Sequence, residues 1–279
     1  MKTAVKIFTV LIFVFTVLLS VGASMGGIIG ELITYAAYLL PVVIGYLESR
    51  KMKYEREEQR GHYEAEATLL GMSRDTASVF VPTVIPTVAI AFLISFLVSL
   101  LLGSFGFESP TVEDAPLVKM LFVHALLPAV LEELLFRYLP MKLLLPYSRR
   151  WCIILSSLYF AFVHMSLFQI PYALFAGVIF IAVDIMCNSV LPSMIIHLVN
   201  NTASVLWIKY SGDSGFAVIY CAVLVLAALL SLVPFFTERK SYAERIKPLF
   251  DVGEGVGDTY SPIILIGFCS IMAAINLVS

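Results

Sequence analysis

Six polar side chains between residues 132 and 201 stand inside hydrophobic sequence and are of types that do acid–base chemistry. Glu132 and Glu133 open the run Glu-Glu-Leu-Leu-Phe-Arg, which ends at Arg137; His164 closes Phe160-Ala161-Phe162-Val163-His164; His197 opens His197-Leu198-Val199-Asn200-Asn201. On a helix Glu133 and Arg137 are four apart, share a face and can pair. Glu132 is turned about 100° away from Glu133. One carboxylate is therefore neutralised by its own helix while the other projects elsewhere. A carboxylate without a charge partner in apolar surroundings is suited to general-base work. Taken alone, this segment is explained equally well by an inter-helix salt-bridge cluster without chemistry. His197 and Asn201 are also four apart and point at one spot. A single histidine in a membrane helix is more often a packing residue than a catalyst. Two histidines, an amide and a free carboxylate on three separate segments supply more. They provide a base, a partner that holds a water, and two hydrogen-bond donors for a developing oxyanion.

The other ionisable residues in apolar sequence read as structural. Glu31 stands near a helix start, where a carboxylate meets the positive end of the helix dipole. Asp184 lies near an inner helix end with no neighbouring motif. His124, two turns before Glu132, reads as a hydrogen-bonded packing residue at the border of the site. His62 falls in a charged stretch and drops out.

These side chains need elements that hold them at membrane depth. The 279 residues are 60% hydrophobic and 14% charged, with a mean hydropathy of +0.94, a composition that excludes a water-soluble globular domain. A membrane helix needs about 20 apolar residues. Nine apolar segments are expected, at about 5–24, 28–47, 79–103, 117–137, 152–169, 171–187, 190–208, 216–236 and 261–278. The fold class is thus all-α, a polytopic transmembrane bundle of eight or nine spans. The chain divides into N-terminal helices over 1–110, with a charged loop at 48–78, a core over 115–208 that carries the candidate site, and C-terminal helices over 209–279. The sixth and seventh segments, joined by Asn188-Ser189, are short enough to sit inside the bundle. Met141 to Tyr147 reads as a short amphipathic piece along the interface.

Basic residues mark the cytoplasmic side. Arg50, Lys51, Lys53, Arg56, Arg60 and Arg74 follow the second segment, Arg149 and Arg150 precede the fifth, and Arg239, Lys240, Arg245 and Lys247 follow the eighth. With nine spans and the N-terminus inside, all of these fall on one side, and the loop with Glu108, Glu113 and Asp114 falls on the other. The expected location is the cell membrane, with the N-terminus cytoplasmic and the C-terminus external. The basic start at Lys2 and Lys6 with Gly22-Ala23-Ser24 also fits a signal peptide, but a second apolar run follows at once and favours a retained helix. Cys152, Cys187, Cys221 and Cys269 lie far apart in apolar sequence and form no metal or redox spacing. The net charge of -2 gives no argument for a nucleic-acid partner. The lipid bilayer is the partner that the composition implies.

Glu-Glu-x-x-x-Arg, then Phe-x-x-x-His, then His-x-x-x-Asn, on successive hydrophobic segments, resembles the CPBP family of CAAX proteases and bacteriocin-processing enzymes (formerly Abi). That family is related to the type II CAAX prenyl endopeptidases. The resemblance covers about Val118 to Val205, and the approach Asn188-Ser189-Val190-Leu191-Pro192-Ser193 shares it. It implies an intramembrane endopeptidase acting on a membrane-associated peptide or protein, with no metal and no cofactor. Glu132 would activate water with help from His164, His197 and Asn201 would form the oxyanion hole, and Glu133 and Arg137 would brace the site. Asn200, three from His197, competes with Asn201, and the family spacing favours Asn201.

Three other classes stay open. A zinc-dependent membrane protease could use Glu132, His164 and His197 as ligands, but no His-Glu-x-x-His segment is present. A transporter would also hold charges at mid-depth, though no repeat is seen. A non-catalytic membrane protein that regulates a partner would keep the fold without the chemistry. One difficulty is geometric. Counted from the expected boundaries, Glu132 lies near the inner end of its segment and His164 farther out, so tilt, a kink at Pro128 or a late entry of the fifth segment is needed to bring them level.

Overall fold

A computed structural model describes residues 1–60, 69, 74–108, 115–237, 244, 262, 263, 265–267, 269 and 270. Its helices are α1 (Lys2–Met25), α2 (Gly27–Arg60) and α3 (Arg74–Ser104), then a continuous helical run from Leu117 to Leu143. That run consists of α4 (Leu117–Leu121), a π-helical turn π1 (Phe122–Leu126), α5 (Leu127–Glu133), a second turn π2 (Leu134–Tyr138) and α6 (Leu139–Leu143). Four more follow: α7 (Arg149–Phe162), α8 (Ile170–Cys187), α9 (Leu191–Tyr210) and α10 (Ser214–Thr237). No strand occurs among the described residues.

Five of these are long and apolar enough to cross a membrane: α1, Gly27–Tyr54 of α2, Thr83–Ser104 of α3, α8 and α9; α10 contributes the shorter apolar stretch Ser214–Leu230. Large apolar side chains such as Ile28, Leu32, Leu100, Val218 and Leu230 are more than half exposed. Rows of that kind are stable only against lipid tails. The chain is a multi-pass membrane protein. Eight of the nine expected segments are helical runs among the described residues. Most of the ninth lies outside them, as do His62, Glu113, Asp114, Arg239, Lys240, Arg245 and Lys247.

The helices pack as a bundle with α1 and α2 as a hairpin on one flank. Its turn uses Gly26 and Gly27 at φ 61° and 58°, where a side chain would be strained. The hairpin meets α6, and α7 pairs with α8. α3 packs on α8, α9 and α10. Aromatic rings link the layers through the core: Phe15 of α1 meets Phe136 at 5.8 Å, Phe136 meets Phe160 at 5.6 Å, and Phe160 meets Phe180 at 6.4 Å.

Two expectations change. The fourth segment does not stop near residue 137. It runs to Leu143, and Met141, Leu143 and Leu144 are buried in the core, so this piece is no interfacial amphipathic helix. The fifth segment does not reach residue 169. α7 begins at Arg149, capped by Ser148, and ends at Phe162. Its 14 residues span about 21 Å, well short of a hydrocarbon core of about 30 Å. Together these changes remove the mismatch in depth. Glu132 becomes a mid-run residue, and His164 lies in a turn partway through the bundle. Non-helical backbone at such depth is stable where it lines a cavity.

Candidate active site

Two prolines shape the helix that carries the glutamates. Pro128 and Pro140 each lack the N–H that would bond four residues back. Each stands just beyond a π turn, π1 before Pro128 and π2 before Pro140. The carbonyl that Pro140 leaves without its helical donor is that of Phe136, and the buried Ser156 hydroxyl of α7 donates to it. This bond ties the glutamate helix to the histidine-bearing hairpin.

Between these π turns, Glu132 and Glu133 diverge as their helical positions require. Glu133 is fully buried, and its Oε2 lies 3.0 Å from Nε of the equally buried Arg137. The Arg137 guanidinium lies over the Phe160 ring at 3.9 Å and the Phe180 ring at 5.0 Å, two cation–π contacts that cover the charge. Glu133 Oε1 accepts a hydrogen bond of 2.7 Å from His197 Nδ1. A carboxylate only accepts, so Nδ1 carries a proton and Nε2 turns toward Glu132, 3.9 Å from its Oε2. Glu132 is 15% exposed and faces a cavity of about 630 Å³. His164, His197, Asn200 and Asn201 line the same cavity.

His164 stands two residues past the end of α7 and donates from Nδ1 to the Phe160 carbonyl at 2.7 Å. A carbonyl cannot donate, so the proton is on Nδ1 and Nε2 is the atom left for a water. On α9, Asn200 Nδ2 donates to Asn201 Oδ1 at 3.3 Å, which leaves the Asn201 amide N–H groups as its donors toward the cavity. The start of α9, and with it the height of His197, is set by Asp184. The fully buried Asp184 accepts from the Ser193 N–H at 3.0 Å and so joins the end of α8 to the first turn of α9.

The structure therefore brings Glu132, His164, His197 and Asn201 to one cavity and sets Glu133 and Arg137 in the wall behind it. His124 is exposed on that cavity instead of packed in the core. Glu31 is exposed and lies beyond the first turn of α2, so no helix-end role is seen for it. Asn200 reaches the cavity as Asn201 does. Sequence reasoning missed Tyr38 of α2, whose hydroxyl donates to Glu132 Oε1 at 3.3 Å. A tyrosine in an apolar helix carries no spacing signal, so nothing pointed to it. It also missed Ser156, although the proline four residues after Phe136 marks a carbonyl in need of a donor. Among the described residues no group of three or more His, Cys, Asp or Glu side chains is arranged to hold a metal ion.

Comparison with curated proteins and with solved structures gives no match. The resemblance drawn from the ordered motifs does find support. Residues 114–203, which hold all three, match the family described as type II CAAX prenyl endopeptidase Rce1-like, and this third of the chain is similar to that family of membrane proteases.

Proposed function

We propose that this protein is an intramembrane endopeptidase that cleaves a membrane-associated peptide with a water activated by Glu132. One observation carries the reading. Of two adjacent carboxylates, Glu133 is consumed by Arg137 and His197, while Glu132 alone opens onto a cavity it shares with two histidines and an amide. A water between Glu132 Oε2 and His164 Nε2 attacks the carbonyl carbon of the scissile bond, and Glu132 takes its proton. The oxyanion of the tetrahedral intermediate accepts hydrogen bonds from the Asn201 amide and from Nε2–H of a doubly protonated His197, whose Nδ1–H is held by Glu133. Collapse breaks the C–N bond, and Glu132 returns the proton to the leaving amine. The family's printed name makes prenylated CAAX tails the first substrate to try, with bacteriocin leaders, signalling peptides and other membrane-protein tails behind them. The basic residues support an N-terminus in the cytoplasm, a C-terminus outside, and the cell membrane as the location.

The test is turnover of two quenched-fluorescence peptides by the purified protein in nanodiscs, one ending in a farnesylated CAAX sequence and one unmodified and apolar. Glu132→Gln should fold as the wild type and lose about 10²–10⁴ in kcat. Asn201→Ala should lose about 10²–10³. An active Glu132→Gln protein would remove the mechanism and leave a scaffold without chemistry as the better reading.

A further inference from the structure

The two oxygens of Glu132 have different surroundings. Oε2 faces His197 and the cavity. Oε1 meets the Tyr38 hydroxyl, which comes from α2, an element outside the matched segment 114–203. Tyr38 does not line the cavity, so it approaches the carboxylate from the wall side. Its ring is held in place by Phe15 of α1, with centroids 4.8 Å apart, and Phe15 in turn abuts Phe136. A phenol held in this way has one carboxylate oxygen within reach and lies outside the lining of the cavity.

We propose that Tyr38 is a positioning residue for the general base. It anchors Glu132 Oε1 so that Oε2 is the oxygen presented to the water. The proposal rests on the protease reading above and extends it to the α1–α2 hairpin. A glutamate side chain has three rotatable bonds; Arg137 is taken by Glu133, and His197 Nε2, 3.9 Å from Oε2, is beyond hydrogen-bond reach, so the Tyr38 hydroxyl is the described hydrogen-bond donor to the carboxylate. Without the phenol the carboxylate can rotate away from the water or present either oxygen. The 3.3 Å separation is longer than the 2.5–2.7 Å of a typical hydroxyl–carboxylate bond, and such bonds tighten when substrate closes the site. Loss of the anchor should therefore lower turnover and leave substrate binding alone.

The experiment compares wild type, Tyr38→Phe, Tyr38→Leu and Glu132→Gln in nanodiscs on the farnesylated and unmodified peptides. Tyr38→Phe keeps the ring on Phe15 and removes only the hydroxyl. It should lower kcat about tenfold, hold KM within about twofold, and unfold at the wild-type temperature. Tyr38→Leu, which also loses the ring, should lower the unfolding temperature as well. The infrared carboxylate bands that vanish in Glu132→Gln should shift in Tyr38→Phe, a change that a merely structural residue would not produce. An active wild type whose Tyr38→Phe variant keeps its kcat and its carboxylate bands overturns the role given to Tyr38 alone. A wild type inert on both peptides overturns the protease reading, and this proposal with it. A kcat loss in Tyr38→Phe that only tracks a lowered unfolding temperature also overturns the proposal.

Discussion

The adjacent glutamates differ most in what their removal should do to the fold. Glu133 and Arg137 are both fully buried, 3.0 Å apart, and the described surroundings of the guanidinium are the rings of Phe160 and Phe180. Glu133→Ala leaves that cation in an apolar core with only the more weakly acting carboxylates of Asp184 and Glu132 near it. Breaking one side of a buried pair costs about 3–5 kcal/mol. The same change removes the 2.7 Å bond to His197 Nδ1, and a hydrogen bond to a charged group is worth about 1.5–3 kcal/mol. The two costs share one side chain and do not simply add, so about 4 kcal/mol is the expected loss. At about 2–4 °C per kcal/mol for a chain of this size, the unfolding temperature should fall by roughly 8–16 °C. Glu132→Gln should leave it within about 2 °C, because Glu132 borders the cavity and has no buried cation to strand. The assay is thermal unfolding in nanodiscs alongside peptide turnover. A double variant, Glu133→Leu with Arg137→Met, replaces the pair by apolar groups of similar volume and should recover most of the stability. It should not recover activity, since His197 loses the carboxylate that orients it. A Glu133→Ala protein as stable as wild type would refute the buried-pair argument. Recovered activity in the double variant would refute the orienting role of Glu133.

Two further outcomes follow, one from the structure and one from the charge pattern of the sequence. Ser156→Ala should destabilise the protein by about 1–3 kcal/mol, read from the same unfolding curves, because the Phe136 carbonyl loses the donor that replaces the missing Pro140 N–H; an unchanged unfolding temperature would show that the π turn satisfies itself. Reporter fusions after Lys53 and Lys247 should read cytoplasmic and one near Glu113 external, and a cytoplasmic signal at Glu113 would overturn the nine-span orientation.

Much of the architecture was legible because hydropathy is a one-dimensional property in a membrane protein. Eight apolar segments became helical runs because lipid leaves the backbone no other partner-satisfied form. The separation of Glu132 from Glu133 was also legible, since it needs only the 100° step of a helix. Two boundaries were not. Met141 to Tyr147 read as interfacial because Lys142 interrupts it, yet Met141 and Leu143 pack inward while the Lys142 ammonium lies 5.3 Å from the Tyr138 ring centre. α7 read as longer because Val163, Met165, Leu167 and Phe168 continue its apolar run, and composition cannot tell a buried turn from a helix. The contacts of Tyr38 and Asp184 were illegible for a different reason. Their partners stand 94 and nine residues away, and only packing shows which tyrosine or aspartate meets a site.

The ordered motifs gain a physical account from these contacts. Phe160 and His164 are spaced by four at the end of a helix, where carbonyls lose their donors. His164 N–H bonds Ala161 instead, at 3.4 Å, so the Phe160 carbonyl is open, and the His164 ring fills it from Nδ1 at 2.7 Å. The same Phe160 presents its ring to Arg137 at 3.9 Å. One residue thereby sets the tautomer of a cavity histidine through its backbone and covers a buried guanidinium through its side chain. Two neighbouring glutamates follow a similar economy. A single carboxylate could not both hold His197 and keep an oxygen open to water. With Glu133 holding the histidine and Arg137 neutralising Glu133, Glu132 keeps Oε2 on the cavity side, 3.9 Å from His197 Nε2.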